Sequence, residues 1–229
     1  MNNQLPIRTV LFDLDGTLAD TAPDLAYALN CVLEEQGHEA LAFEKIRPVV
    51  SHGGIALVKL GFGIEQDHPD FEFLRQRLLD IYKDNISRET ELFPGMQDLL
   101  LAIEAEDMNW GVVTNKPGWL TEPLMESLSL TERAACIISG DTCDNRKPHP
   151  EPILHGCHLA GSDVEQCLYV GDAERDIEAG RHAGVRTAVA LFGYIGENDN
   201  PNEWQADTLV ESPEDLQEWI ASFVDEQTI

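Results

Sequence analysis

Ile7-Arg8-Thr9-Val10-Leu11-Phe12-Asp13-Leu14-Asp15-Gly16-Thr17 is the stretch on which the reading of this chain turns. A short, mostly apolar run that breaks into Asp, Gly and Thr reads as a buried strand entering a loop. Similar runs recur at Trp110 to Thr114, Ala135 to Ser139, Cys167 to Gly171 and Arg186 to Leu191. Between most of them lie helical patterns at Met96 to Glu106, Trp119 to Leu128, Glu151 to Ala160 and Glu174 to Ala183. Strand and helix in alternation predict an α/β chain with a parallel sheet covered by helices on both faces. After a polar loop from Tyr194 to Asp207, a short strand near Thr208 to Val210 and a helix from about Pro213 close it.

The section from about Thr21 to Thr90 breaks this rhythm. Helix-like patterns stand at Pro23 to Gln36, Gly54 to Leu60 and Pro69 to Ile86, with no convincing strand between them. Pro23 suits a first helical turn and Gly37 a helix end. The expected organisation is a Rossmann-like α/β core domain of residues 1–20 and 91–229, with a helical cap, or lid, domain of residues 21–90 inserted after the first strand. Phe93-Pro94-Gly95 marks the return to the core.

The chain has 229 residues, 43% hydrophobic and 25% charged, enough to bury a substantial core. Its 15 Lys and Arg against 42 Asp and Glu leave a formal charge of −27, the wrong sign for neutralising polymer phosphates or an anionic bilayer. Nucleic acid and membrane are therefore excluded as expected partners, while one cationic pocket could still take a small anion. No apolar stretch approaches the roughly 18 to 20 residues of a membrane span, and Met1 to Pro6 lacks the marks of a secretory leader, so a cytoplasmic protein is expected. Five cysteines without a Cys-x-x-Cys fit reduced thiols, with Cys136 and Cys167 in the core. His155 and His158 flank Cys157 without further ligands and are expected on an exposed helix face.

In an open parallel sheet, ligands bind beyond the carboxyl ends of the strands. The residues there are Asp13 and Asp15 after the first strand, Thr114 and Asn115 after the next, Lys147 downstream of the third, and Asp172 with Asp176 after the fourth. Asp13 and Asp15 are two apart, so in an extended segment both carboxylates face one side. Gly16 allows a sharp turn close to a ligand, and Thr17 adds a hydroxyl and an amide. Packing Asp172 against that pair demands a cation or a shared proton, and an all-oxygen site open to phosphate suits Mg²⁺.

Four segments in order resemble the haloacid dehalogenase superfamily of phosphohydrolases: Asp13-Leu14-Asp15-Gly16-Thr17, Thr114, Lys147 before Pro148, and Gly171-Asp172-Ala173-Glu174-Arg175-Asp176. The resemblance implies a nucleophilic Asp13 that forms an aspartyl phosphate, and Asp15 as acid and then base. It implies Mg²⁺ held by Asp13, the backbone carbonyl of Asp15 and Asp172. Thr17, Thr114, Asn115 and Lys147 would hold the phosphoryl group, and Asp176 would act by hydrogen bonding around the metal and Lys147. The Asp at position 15 favours phosphate esters, whose alkoxide needs an acid, over the dehalogenase and phosphonate-cleaving branches.

Arg47-Pro48-Val49-Val50-Ser51-His52-Gly53-Gly54 resembles the cap loop of the phosphoglycolate-phosphatase-like branch, making Arg47, His52, Gly53 and Gly54 the candidate substrate contacts. The partner implied is a small phosphorylated carboxylate. Within that branch Trp110 to Pro117, and Gly193-Tyr194-Ile195 with Asp199-Asn200-Pro201-Asn202 and Trp204, resemble the bacterial enzymes acting on N-acetylmuramic acid 6-phosphate. The resemblance implies that substrate, with 2-phosphoglycolate or another sugar phosphate as the alternative. Monomer and homodimer are both compatible. A receiver-like phosphorylation switch also gathers acids, a Thr and a Lys at strand ends, but needs no helical insertion, and a non-catalytic binding protein needs no complete catalytic set.

Overall fold

Alternation along β1 (Thr9–Phe12) decides how the sheet is covered. In the computed structural model, which describes residues 5–223, Val10 and Phe12 join one buried apolar layer and Leu11 joins another. β6 (Cys167–Gly171) repeats the pattern, with Leu168 and Val170 on the first side and Cys167 and Tyr169 on the second. A period of two feeding two apolar layers is what a strand buried on both faces requires. Together with β4 (Asn109–Val113), β5 (Ile137–Ile138), β7 (Arg186–Ala190) and β8 (Thr208–Val210), these strands form a six-stranded sheet in the order β5-β4-β1-β6-β7-β8. Every pairing in it is parallel.

Helices cover both faces, as expected from the alternation. α5 (Met96–Ala105), α6 (Gly118–Ser127) and α9 (Pro213–Ala221) give Leu99, Leu124 and Leu216 to the first layer. α7 (Glu151–Leu159) and α8 (Glu174–Ala183) give Ile153, Cys157 and Ala179 to the second. All five cysteines are free thiols, and Cys136 and Cys167 are buried. The third strand is shorter than its apolar run, Ile137–Ile138, because it pairs only with β4 at the sheet edge. Among the described residues no helix is long and apolar enough to cross a membrane.

Between β1 and α5 the chain is helical: α1 (Ala22–Glu35), α2 (Phe43–Ile46), a 3₁₀ stretch at Arg47–His52, α3 (Gly53–Phe62) and α4 (Phe71–Asp84). Leu25, Ala28, Leu29, Val32 and Leu33 form the buried stripe of α1 at helical spacing. It packs against α4, and the apolar contacts of these helices run on into the first layer of the sheet. The segment Arg47–His52, read from sequence as a loop, is helical, with Pro48 in its first turn where its missing N–H costs nothing.

Two features at the neck of this insertion had no sequence signal. β2 (Ala19–Asp20) and β3 (Glu91–Leu92) pair antiparallel where the chain leaves and returns, too short to show any periodicity. Beside them buried Asp24 accepts hydrogen bonds from the Glu89 and Thr90 amides and from Thr90 Oγ1, at 2.7 to 3.1 Å.

Candidate active site

Three strand ends meet on one ammonium. Lys147 Nζ lies 2.9 Å from Asp13 Oδ1 at the end of β1 and 2.8 Å from Asp176 Oδ1, and it donates to Tyr169 Oη at 2.7 Å. The Tyr169 hydroxyl donates in turn to Val113 O of β4. The ammonium thus has two carboxylates and a phenol within 2.9 Å, while the side chain is wholly buried. Asp13 Oδ1 also accepts from the Leu14 amide, and no hydrogen bond engages Oδ2 among the described residues. Burial works to raise the Asp13 carboxyl, but the charges of Lys147 and Arg175 and the bonds from Lys147 and Leu14 outweigh it and hold the group below its ordinary value.

Asp172 has the opposite balance. Its Oδ2 accepts from the Tyr194 amide at 2.9 Å and from Ser51 Oγ at 2.6 Å, and buried Oδ1 has no partner. Burial, then the charges of Asp176 and Asp13, push it up to about 7. Asp13, Asp172 and Asp176 each offer an oxygen within 4.8 Å of the others. Oδ1 of both Asp172 and Asp176 lacks a hydrogen bond, but Asp176 has the Lys147 ammonium at 2.8 Å and the Ala173 amide on Oδ2, whereas Asp172 has no ion-pair partner among the described residues. A hard divalent cation beside Asp13 and Asp172 fits this donor set. Gly16 is what allows the approach: its φ is +84°, and a Cβ there would stand 2.1 Å from Asp172 Oδ2.

Over this floor lies a cavity of about 770 Å³. It is lined by Asp13, Asp15, Thr114 and Asn115 from the sheet side and by His52, Gly53 and Gly54 from the helical insertion, so most of the residues expected at the site converge on it. Thr114 Oγ1 accepts from the Lys116 amide, which leaves its proton to donate. Asn115 splices two loops, its Nδ2 donating to Lys147 O and its Oδ1 accepting from Lys147 N. The His52 imidazole is held below its ordinary value, first by burial and then by Arg175, whose Nη1 lies 3.5 Å from Nδ1.

Five expected residues do not line the cavity: Asp172 and Asp176, which belong to the carboxylate cluster beside Asp13, and Lys147, Thr17 and Arg47. Lys147 lies beneath it, and Thr17 is buried with Oγ1 unpartnered. Arg47 donates to Gly193 O at 3.0 Å and to Phe192 O at 3.3 Å, with its guanidinium 4.9 Å from the centre of the Tyr194 ring.

Sequence reasoning missed the residues through which the insertion grips the sheet. Ser51 reaches Asp172, and Arg175 Nη2 donates to Ser51 O at 2.7 Å. Lys116 Nζ meets Asp15 Oδ1 at 2.8 Å and Tyr82 Oη at 2.9 Å. Lys116 follows Asn115 directly and Arg175 stands inside the Gly171 to Asp176 motif, so their positions were a usable signal. Tyr82 falls on the buried stripe of α4 and looks like core packing.

Residues 10–190 match the family model of haloacid dehalogenase-like hydrolases. An N-acetylmuramic acid 6-phosphate phosphatase of Pseudomonas putida is 44% identical over 216 residues, covering 94% of this chain and 97% of that one. A phosphoglycolate phosphatase of Xanthomonas campestris pv. campestris is 42% identical, covering 92% and 95%. Among solved structures, one described as a predicted phosphoglycolate phosphatase from Haemophilus somnus superposes with a TM-score of 0.82 at 24% identity, covering 93% of this chain and 97% of that one, a likeness of fold. With four motifs at the ends of successive parallel strands and a match over most of its length, the chain belongs to the haloacid dehalogenase-like hydrolase family.

Proposed function

We propose that this chain is a Mg²⁺-dependent phosphomonoester hydrolase in which Asp13 is the nucleophile and residues 21–90 act as a cap over a core of residues 1–20 and 91–229. The observation that carries it is Asp13 itself, a buried carboxyl kept ionised by Lys147 and Arg175 with one oxygen uncommitted beside the cavity. That oxygen attacks phosphorus, the bond from phosphorus to the leaving oxygen breaks, and Asp15 delivers its proton to the departing alkoxide. Asp15, now a carboxylate, takes a proton from water, the water oxygen attacks phosphorus, and the bond to Asp13 breaks, releasing inorganic phosphate. Asp13, Asp172 and the backbone carbonyl of Asp15 would hold Mg²⁺, which when bound would supply neutralisation of the negative charge at the reacting centre. Thr114 and Asn115 hold the phosphoryl group from the cavity wall, with Thr17 beside the turn. Lys147 acts from below by orienting Asp13, and Asp176 holds Lys147.

The substrate proposed is N-acetylmuramic acid 6-phosphate, with 2-phosphoglycolate as the second reading. A cavity of about 770 Å³ lies in the range of about 300–1,000 Å³ typical of pockets that enclose drug-sized ligands, and exceeds what a two-carbon acid fills. His52, Gly53 and Gly54 meet the sugar from the cap, and Arg146, on the core side of the same cavity, offers charge to a carboxylate, while the cap's Arg75 is paired with Glu72. Arg47 keeps the cap loop against the Phe192–Gly193 carbonyls. The relatives' names divide between the same two substrates. Comparing kcat/KM for the two esters tests the choice, with phosphate release expected in Mg²⁺ and abolished by EDTA. A preference for 2-phosphoglycolate would reverse the order of the two readings, and undiminished release in EDTA would remove the metal.

A further inference from the structure

Asp15 is held, and the groups that hold it come from both sides of the cavity. Its Oδ1 accepts from Lys116 Nζ at 2.8 Å and from Thr21 Oγ1 at 2.6 Å, and no hydrogen bond engages its Oδ2 among the described residues. Thr21 immediately precedes α1, and Lys116 lies in the loop after β4. The Lys116 ammonium has a second partner on the cap: Tyr82 Oη of α4 at 2.9 Å, with the ring centre 4.5 Å away. Tyr82 is fully buried and Lys116 is only 8% exposed, so the pair is shielded from water, where a lysine would otherwise swing freely on its four-carbon stem.

We propose that Lys116 is a positioning residue that couples the cap to Asp15. Tyr82 fixes the ammonium, the ammonium and Thr21 fix Oδ1, and Oδ2 is thereby presented to the cavity for proton delivery. With the cap displaced, Lys116 loses one of its two partners and Asp15 loses its orientation. The inference rests on Asp15 being the acid of the proposed reaction.

Leaving-group dependence tests it. The ratio kcat/KM includes every step through departure of the leaving group, and therefore the proton from Asp15. An alkoxide needs that proton and p-nitrophenolate does not. Lys116→Met is expected to lower kcat/KM by about 10²-fold for N-acetylmuramic acid 6-phosphate, or for 2-phosphoglycolate if that is the better substrate, and by only about threefold for p-nitrophenyl phosphate. Lys116→Arg, which keeps the charge, should recover most of the loss. Tyr82→Phe, which keeps the ring and the Lys116–Asp15 pair, should show the same selectivity at about fivefold. Equal losses on the alkyl and aryl esters in Lys116→Met would overturn the proposal, as would a Tyr82→Phe protein with unchanged kcat/KM on both. Asp15→Asn separates this from the parent reading: if that variant also loses equally on both esters, Asp15 is not the acid and the parent reading falls first.

Discussion

Two lysines hold the two carboxylates that follow β1, and they tie them to different parts of the molecule. Lys147 binds Asp13, Asp176 and Tyr169, all borne by the sheet and the helix after it. Lys116 binds Asp15 on one side and Tyr82 of the helical insertion on the other. The first lysine is sealed in the floor, the second lines the cavity. In the mechanism proposed, the nucleophile is thus oriented by the sheet alone, while the acid is oriented only when the cap is down. A device of this kind keeps proton delivery, and with it commitment of the ester, dependent on an enclosed substrate.

Asp13→Asn is the severest way to break this comparison, because it removes the nucleophile and keeps the shape. Turnover should fall roughly 10³-fold or more while the melting temperature stays near that of the parent, and a variant with parental kcat, freed of contamination, would end the assignment. Next in size is the contrast between the lysines themselves. Lys147→Met leaves two buried carboxylates unpaired and should cost about 3–5 kcal/mol in urea unfolding. Lys116→Met leaves Asp15, which is part exposed and still bonded to Thr21, and should cost clearly less; equal costs would erase the distinction between floor and roof.

Metal removal sharpens the picture of the floor. Without a cation the Asp172 carboxyl sits at about 7 in the folded protein, above its ordinary value of 3.8. A group raised on folding contributes stability that is complete below the unfolded value and is lost as pH rises through the folded one. The metal-free protein should therefore lose stability between about pH 4 and 7 from this group, and Mg²⁺ should raise the melting temperature more at pH 8 than at pH 5. An Mg²⁺ effect that does not vary across this range would place the cation elsewhere. The smallest effect is expected for Arg47→Ala, which removes two bonds to loop carbonyls and the contact with Tyr194, about 1 kcal/mol. Its kcat/KM should drop more on the natural ester than on p-nitrophenyl phosphate, since only the former needs the cap loop in place.

The floor of the site was legible because Asp13, Thr114 and Asp172 directly follow buried strands, with Lys147 and Asp176 further on, and a parallel sheet delivers such positions to one edge. Asp13, Thr114, Lys147, Asp172 and Asp176 could be found from motif and strand order together. The roof was less legible. Arg47 is expected near the substrate from the resemblance of its loop to a cap loop; what the sequence does not carry is that its guanidinium donates to backbone carbonyls of the Phe192–Gly193 loop, since carbonyls have no sequence signature. Tyr82 was hidden by its place on an apolar stripe, where a phenol and a Phe read alike. The β2–β3 pair escaped because two residues cannot display a period.

What the sequence by itself determined is the alternation of strand and helix, the helical insertion and the set of oxygen-bearing residues at the strand ends, because these follow from local periodicity and from parallel-sheet topology. Only the tertiary structure decided which carboxylate each lysine serves, which oxygen of Asp172 is left over, and how the insertion reaches Asp15. Those contacts join residues far apart in the chain, 34 positions for Tyr82 with Lys116, 101 for Lys116 with Asp15 and 121 for Ser51 with Asp172. They are set by how two layers of side chains pack and by which charges the packing leaves dry.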